Sequence, residues 1–150
     1  MAKIYEGSES DLHDLAAVYM QQDRPHNIFS KSTDYVLDYL SRLEVRYLVV
    51  SEQDKVVGGV AVIVKEETSR HNLTRLKHFA VLTKFRNSVI PQKLLEAAEK
   101  MAAKGKIEIH VSETETADIE FFMAQGYAIE GELSNHYRHG EKCYVLGKKV

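Results

Sequence analysis

Apolar positions along the chain follow two rhythms, and the changes between them mark the elements. Leu12, Leu15, Ala16 and Tyr19 repeat at helical spacing, with Ser8 ahead of them as a cap and Asp11 three residues further on. Val36, Leu37, Leu40 and Leu43 give a second stripe, capped by Ser32 or Thr33. Leu94, Leu95, Ala98, Met101 and Ala102 give a third, over 91–104. Pro91 suits its first turn and Gly105 a left-handed stop after its last. Ile119, Phe122 and Met123 define a short fourth helix that ends at Gly126, with Ser112 and Glu115 as its capping box. Between the stripes, strand-like runs fall at 3–6, 45–51, 55–65, 73–82, 106–111, 127–135 and 141–149. Glu52-Gln53-Asp54 reads as a tight turn, 66–72 as a hairpin loop, and His139-Gly140 as the last turn. Gly58-Gly59, inside a strand, marks a bulge or a close backbone contact. The helix between strands 73–82 and 106–111 makes that pair parallel, while hairpins make the other neighbours antiparallel. The pattern predicts an α/β (α+β) fold: a six- to seven-stranded, mostly antiparallel mixed sheet with about four helices.

A length of 150 residues, 44% hydrophobic and 28% charged, fits one domain, 1–150. A net charge of −2 argues against general nucleic-acid binding. No apolar run reaches the roughly 18–20 residues of a membrane span, and the first residues lack the apolar core of a secretory leader, so a cytoplasmic location is expected. The lone Cys143 reads as a packed strand residue. No Cys/His metal spacing and no Ser/His/Asp order is legible, and no metal is expected.

Candidate chemistry concentrates at 83–92. A helix N-terminus offers unpaired N–H groups and partial positive charge to an anion, and Lys84 and Arg86 add two cations. Phe79-Ala80-Val81 leads into this loop, Arg86 to Pro91 has the length of Arg/Gln-x-x-Gly-x-Gly/Ala, and Gln92 to Glu99 follows as a helix. Further on come Ala124-Gln125-Gly126-Tyr127, Gly131-Glu132-Leu133, Tyr137 and a closing strand. In these features the chain resembles the GNAT superfamily, N-acetyltransferases that use acetyl-coenzyme A (acetyl-CoA). Asn87 and Val89 stand where the family usually has glycine, and Pro91 where it has Gly or Ala.

The resemblance implies transfer of an acetyl group from acetyl-CoA to a primary amine of a small molecule or peptide by direct attack. It implies that the two parallel strands splay into a wedge for the pantetheine arm. Cofactor contacts would then fall on Phe79, Val81, Thr83, Lys84, Arg86, Asn87, Ser88, Val89, Ile90 and Gln92, and substrate contacts on His26, Phe29 and Glu67. The family's catalytic tyrosine position holds Phe122, which has no proton to give and reads as core. His78, His110 and Tyr137 are the candidate catalytic groups, with Tyr127 as a further substitute. Glu67 and Glu113 are alternative bases. His136 and His139 read as solvated turn residues. A catalytically weak or inactive CoA-binding sensor or protein-interaction module is the alternative, and pairing of the last strands across a homodimer stays open.

Overall fold

The structure, a computed structural model, describes residues 1–24, 27–67, 71–102 and 104–150, with the backbone alone for 66 and 67. Seven strands form one sheet: β1 (Ala2–Glu6), β2 (Arg46–Glu52), β3 (Lys55–Glu67), β4 (Asn72–Val81), β5 (Gly105–Ser112), β6 (Ala128–Ser134) and β7 (Lys142–Lys149). They lie in the order β1-β2-β3-β4-β5-β7-β6. Among the described residues, only β4 and β5 run parallel. The helices are α1 (Leu12–Met20), α2 (Thr33–Arg42), α3 (Ile90–Met101) and α4 (Thr116–Ala124).

Alternation along the strands builds two cores. Tyr47, Val49 and Ala61 pack with Leu15, Tyr19, Val36 and Leu40 of α1 and α2 on one face. Leu48, Val50, Val60 and Val62 pack with Leu94, Leu95, Ala98 and Phe122 of α3 and α4 on the other. Neighbouring residues of β2 therefore feed opposite cores, as the two-residue period of a strand requires. Gly58 and Gly59 are a close approach. A Cβ on Gly58 would lie 2.6 Å from the Ala80 carbonyl oxygen, and one on Gly59 would lie 2.6 Å from Leu15 Cδ1.

Several boundaries differ from expectation for local reasons. β3 and β4 stay paired through Glu67 and Asn72, so the 66–72 loop is shorter than its polar composition suggests. Gly105 is not a left-handed helix stop: its φ is +146° and it opens β5. Ser112 does not cap α4. Its hydroxyl bonds Glu141 and accepts from the Thr114 N–H at 3.2 Å, and the helix begins at Thr116. Phe121, not Met123, packs inward, and Met123 is exposed. The β6–β7 connection is longer than a two-residue turn. Asn135 (φ +54°) and Gly140 (φ +77°) frame it, and Asn135 Oδ1 accepts the Gly140 N–H at 2.6 Å. Among the described residues, no helix is long and apolar enough to cross a membrane.

Candidate active site

The site follows from where β4 and β5 stop pairing. Their register runs from Asn72↔Gly105 to Leu76↔Ile109 and ends there, while β5 continues along β7 to Ser112↔Cys143. The end of β4 thus has an open edge. Leu82 gives its N–H to Val57 of β3 (2.8 Å), so by alternation Phe79 and Val81 turn their peptide groups to that edge. A cavity of about 270 Å³ lies here. Its walls include Phe29, His78, Ser112 and Tyr137.

Side chains already engage the open edge. Phe79 O accepts from Arg24 Nη2 at 3.0 Å, and Arg24 Nη1 pairs with Asp118 Oδ2 of α4 at 3.0 Å. Val81 O accepts from Gln22 Nε2 at 3.3 Å, and Gln22 Oε1 in turn accepts from Arg86 Nη2 at 2.9 Å. The Arg86 guanidinium therefore ties the loop to the end of α1. Lys84 keeps its ammonium 5.0 Å above the Phe85 ring on the exposed side.

The loop from β4 to α3 needs no glycine in this conformation. No described residue between 83 and 91 has a positive φ, and Val89 is helical (φ −77°, ψ −6°) with its side chain 60% exposed. Ile90 and Pro91 are buried and anchor the helix mouth from beneath. Ser88 Oγ accepts the Ile90 N–H at 3.2 Å. The N–H groups of Asn87, Val89 and Gln92 meet no acceptor among the described residues. Three unpaired amides at the start of a twelve-residue helix, with Lys84 nearby, suit a diphosphate.

His78 sits on a bulge. Gly59 faces Ala80 and Ala61 faces Lys77, so three steps of β4 span two of β3, and His78 takes φ +56°. Its ring lies among Tyr19, Phe29 and Tyr39, and its Nε2 is 3.1 Å from the Tyr39 hydroxyl. Burial, then the charges of Lys77, Arg24 and Arg75, pull its pKa down to about 3. It stays neutral at any ordinary pH and is a weak base. In the unfolded chain the ring titrates near 6.5, so as pH falls below that value the unfolded state binds the extra proton and stability drops. Between pH 6.5 and 4.5 this group alone should cost up to about 2.7 kcal/mol. Asparagine tolerates the positive φ. His78→Asn should therefore lose stability at pH 7 through lost ring packing, yet show a smaller further loss at pH 4.5 than wild type. Urea unfolding at the two pH values checks this, and an equal further loss in both proteins would contradict it.

The other candidates divide between the cavity and the packing around it. Phe29 is buried, stacked 4.9 Å from Tyr19, and lines the cavity. His110 also lines it, but its Nε2 is held by Glu108 Oε1 at 2.6 Å, and burial lowers its pKa. The Tyr137 hydroxyl lies against the Cys143 thiol and the Arg75 guanidinium, and burial, then Cys143, raises its pKa. Tyr127 is elsewhere: its hydroxyl donates to Glu99 Oε2 of α3 at 2.9 Å, a packing role. Phe122 is core. Glu113 accepts the Lys142 N–H at 2.8 Å, which fastens a loop. His26 and the side chain of Glu67 lie outside the described residues. Sequence reading missed Gln22, Arg24, Arg75 and Asp118. Each is an ordinary polar residue in an irregular or amphipathic stretch, and only the topology brings them to the wedge.

A parallel pair that parts midway, beside a helix mouth with free amides, defines an acyl-CoA-type transferase frame. The chain belongs to the acetyltransferase (GNAT) family, whose model matches residues 10–127. No curated protein matches its sequence. Solved structures share its fold at low identity. Naa50 of Arabidopsis thaliana, in complex with the bisubstrate analogue CoA-Ac-MVNAL, superposes with a TM-score of 0.76 at 20% identity, covering 99% of both chains. The ribosomal-protein-S18-alanine N-acetyltransferase of Escherichia coli gives 0.75 at 14%, covering 100% of this chain and 94% of that one. An aminoglycoside 6'-N-acetyltransferase complexed with coenzyme A gives 0.70 at 18%, covering 98% and 96%.

Proposed function

We propose that this acyltransferase moves an acetyl group from acetyl-CoA to a primary amine of a small molecule or peptide by direct attack. The observation that carries the reading is the open edge of β4, at Phe79 and Val81, running from the α3 mouth into the cavity. Acetyl-CoA would supply the acetyl group as a thioester. The amides of Asn87, Val89 and Gln92 and the Lys84 ammonium would hold its diphosphate, while Arg86 positions the loop through Gln22. The peptide groups of Phe79 and Val81 would take the pantetheine arm once Arg24 and Gln22 yield.

The amine must be neutral to attack, and the carboxylates lining the cavity are Glu115 and Asp118. Two of the cations lining the cavity are paired, Arg24 with Asp118 and Arg138 with Glu141. Arg75 and Lys77 carry no ion pair among the described residues, and Lys77 has its own pKa lowered by burial, then by Arg75 and Lys65. The same positive surroundings disfavour an ammonium, so a bound amine would shed its proton to solvent more readily than in water. Tyr137, kept protonated by its raised pKa, can supply a proton to the departing sulfur.

The test is thermal unfolding with and without acetyl-CoA. Ligand at 100 times its dissociation constant should add about 2.7 kcal/mol. Lys84→Ala should reduce this shift and leave the melting temperature of the free protein in place. Release of free coenzyme A thiol with a panel of amines then separates the enzyme from its alternative. A shift with no turnover for any amine would favour the inactive sensor, which Phe122 and the Arg24 bridge across the wedge both accommodate. No shift would remove the proposal altogether.

A further inference from the structure

At the wall of the cavity, where β5 meets β7, three side chains from different segments converge. A ring nitrogen of His110, a ring nitrogen of His136 and Sγ of Cys143 all lie within 4.8 Å of one another. His110 is on β5, Cys143 on β7 opposite Ser112, and His136 in the β6–β7 connection. We infer that they form a binding site for a borderline-soft divalent cation, Zn²⁺ above all, with two imidazoles and one thiolate as ligands.

The state of His110 is the strongest support. Its Nε2 is 2.6 Å from Glu108 Oε1, so in the neutral ring Nε2 carries the hydrogen and donates it. Nδ1 is then left with a free lone pair. That atom is buried and has no hydrogen-bond partner. A buried acceptor without a donor is costly in a folded protein and needs an explanation. A metal ion supplies one. The carboxylate–histidine arrangement is also the one that orients and strengthens imidazole ligands in known metal sites.

The other two ligands fit the same reading. Cys143 is 1% exposed, and burial pushes its thiol pKa up, so a bound divalent cation would have to supply the charge that draws off the proton. The His136 ring stands edge-on to His110 at 5.7 Å between centroids and is exposed, so it can adjust. Zinc bonds of about 2.0–2.3 Å require ligand atoms roughly 3.3–3.6 Å apart, so the cluster must close by about 1 Å. Movement of the exposed His136 ring shortens the two distances in which it takes part. Two imidazoles and a thiolate select zinc over magnesium or calcium, which take oxygen ligands. Three protein ligands leave one position for water. Thiolate and ion together carry one positive charge, which Glu108 offsets. The spacing of 26 and then 7 residues between ligands matches no metal-binding motif, so sequence inspection passes over it.

Cobalt(II) tests the site directly, with no dependence on transferase activity. Titrated into reduced, chelator-treated protein, it should give a thiolate-to-cobalt charge-transfer band and tetrahedral visible bands, and Zn²⁺ should displace it. Cys143→Ser should abolish the charge-transfer band. His136→Ala, at an exposed position that leaves the fold alone, should weaken Zn²⁺ binding at least about tenfold, and Glu108→Gln about 10–100-fold through His110. If Cys143→Ser fails to fold, His136→Ala decides. Absence of the band in wild type, its persistence in Cys143→Ser, or unchanged zinc affinity in His136→Ala would overturn the inference.

Discussion

Tyr137→Phe is expected to lower kcat about a hundredfold or more while leaving the acetyl-CoA-induced thermal shift unchanged. The figure is the lower end of what a positioned acid or base contributes. Tyr137 is placed for it. The residue lines the cavity, and its hydroxyl is held between Cys143 and Arg75. Burial keeps the phenol protonated well beyond neutral pH, so the proton is present throughout the working range. The residue remains 47% exposed, so losing one oxygen should cost little stability. The split is the diagnostic. A purely structural tyrosine would change kcat, KM and the melting temperature together or not at all, whereas an acid changes kcat alone. A kcat within a few-fold of wild type would remove Tyr137 from the reaction. Of the other phenols, Tyr127 is committed to Glu99 and Tyr39 to His78, while Tyr19 lines the cavity with a buried, unpartnered hydroxyl and is the one replacement to test beside Tyr137.

Most of the sheet could be read from the sequence because its signals are local. The period-two runs from Val45 to Lys65 alternate between two buried faces, and Gln53-Asp54, both at positive φ, closes them into a hairpin. The stripe Leu94, Leu95, Ala98 predicts α3 and hence the parallel pair. The site was legible only in part. The segment 83–89 joins β4 to α3, and Asn87 and Val89 in it stand where the resemblance has glycine. The structure places Val89 in helical geometry facing solvent, a conformation that asks for no glycine. The bulge that turns His78 into an aromatic cage leaves no mark in sequence, because it depends on how β3 and β4 slip past each other. Arg24 and Asp118 are 94 positions apart, and His110, His136 and Cys143 come from three segments. Pairings of that kind are products of topology and cannot be seen in a window of residues.

Gly105→Ala is expected to destabilise the protein by at least about 3 kcal/mol, a fall of roughly 6–12 °C in Tm for a chain of this size. Two independent costs fall on one atom. At φ +146° the backbone is in a region that side chains avoid. A Cβ there would also lie 2.1 Å from Asn72 O and 2.6 Å from Asn72 N. These are main-chain atoms at the start of β4, which cannot swing aside as a flexible side chain would. Relief requires moving β4 from β5, or giving up the hydrogen bonds that join Gly105 to Val150 (3.2 and 2.8 Å). Gly105 opposite Asn72 is also the first rung of the parallel pair, and that register fixes where the strands part, past Leu76 and Ile109. The protein that still folds should therefore bind acetyl-CoA more weakly, though the substitution is at the opposite end of the pair from the wedge. Chemical unfolding gives the first quantity and the ligand-induced thermal shift the second. A loss below about 1 kcal/mol would show that the β4–β5 contact yields, and that the wedge is not set by the rung at its far end.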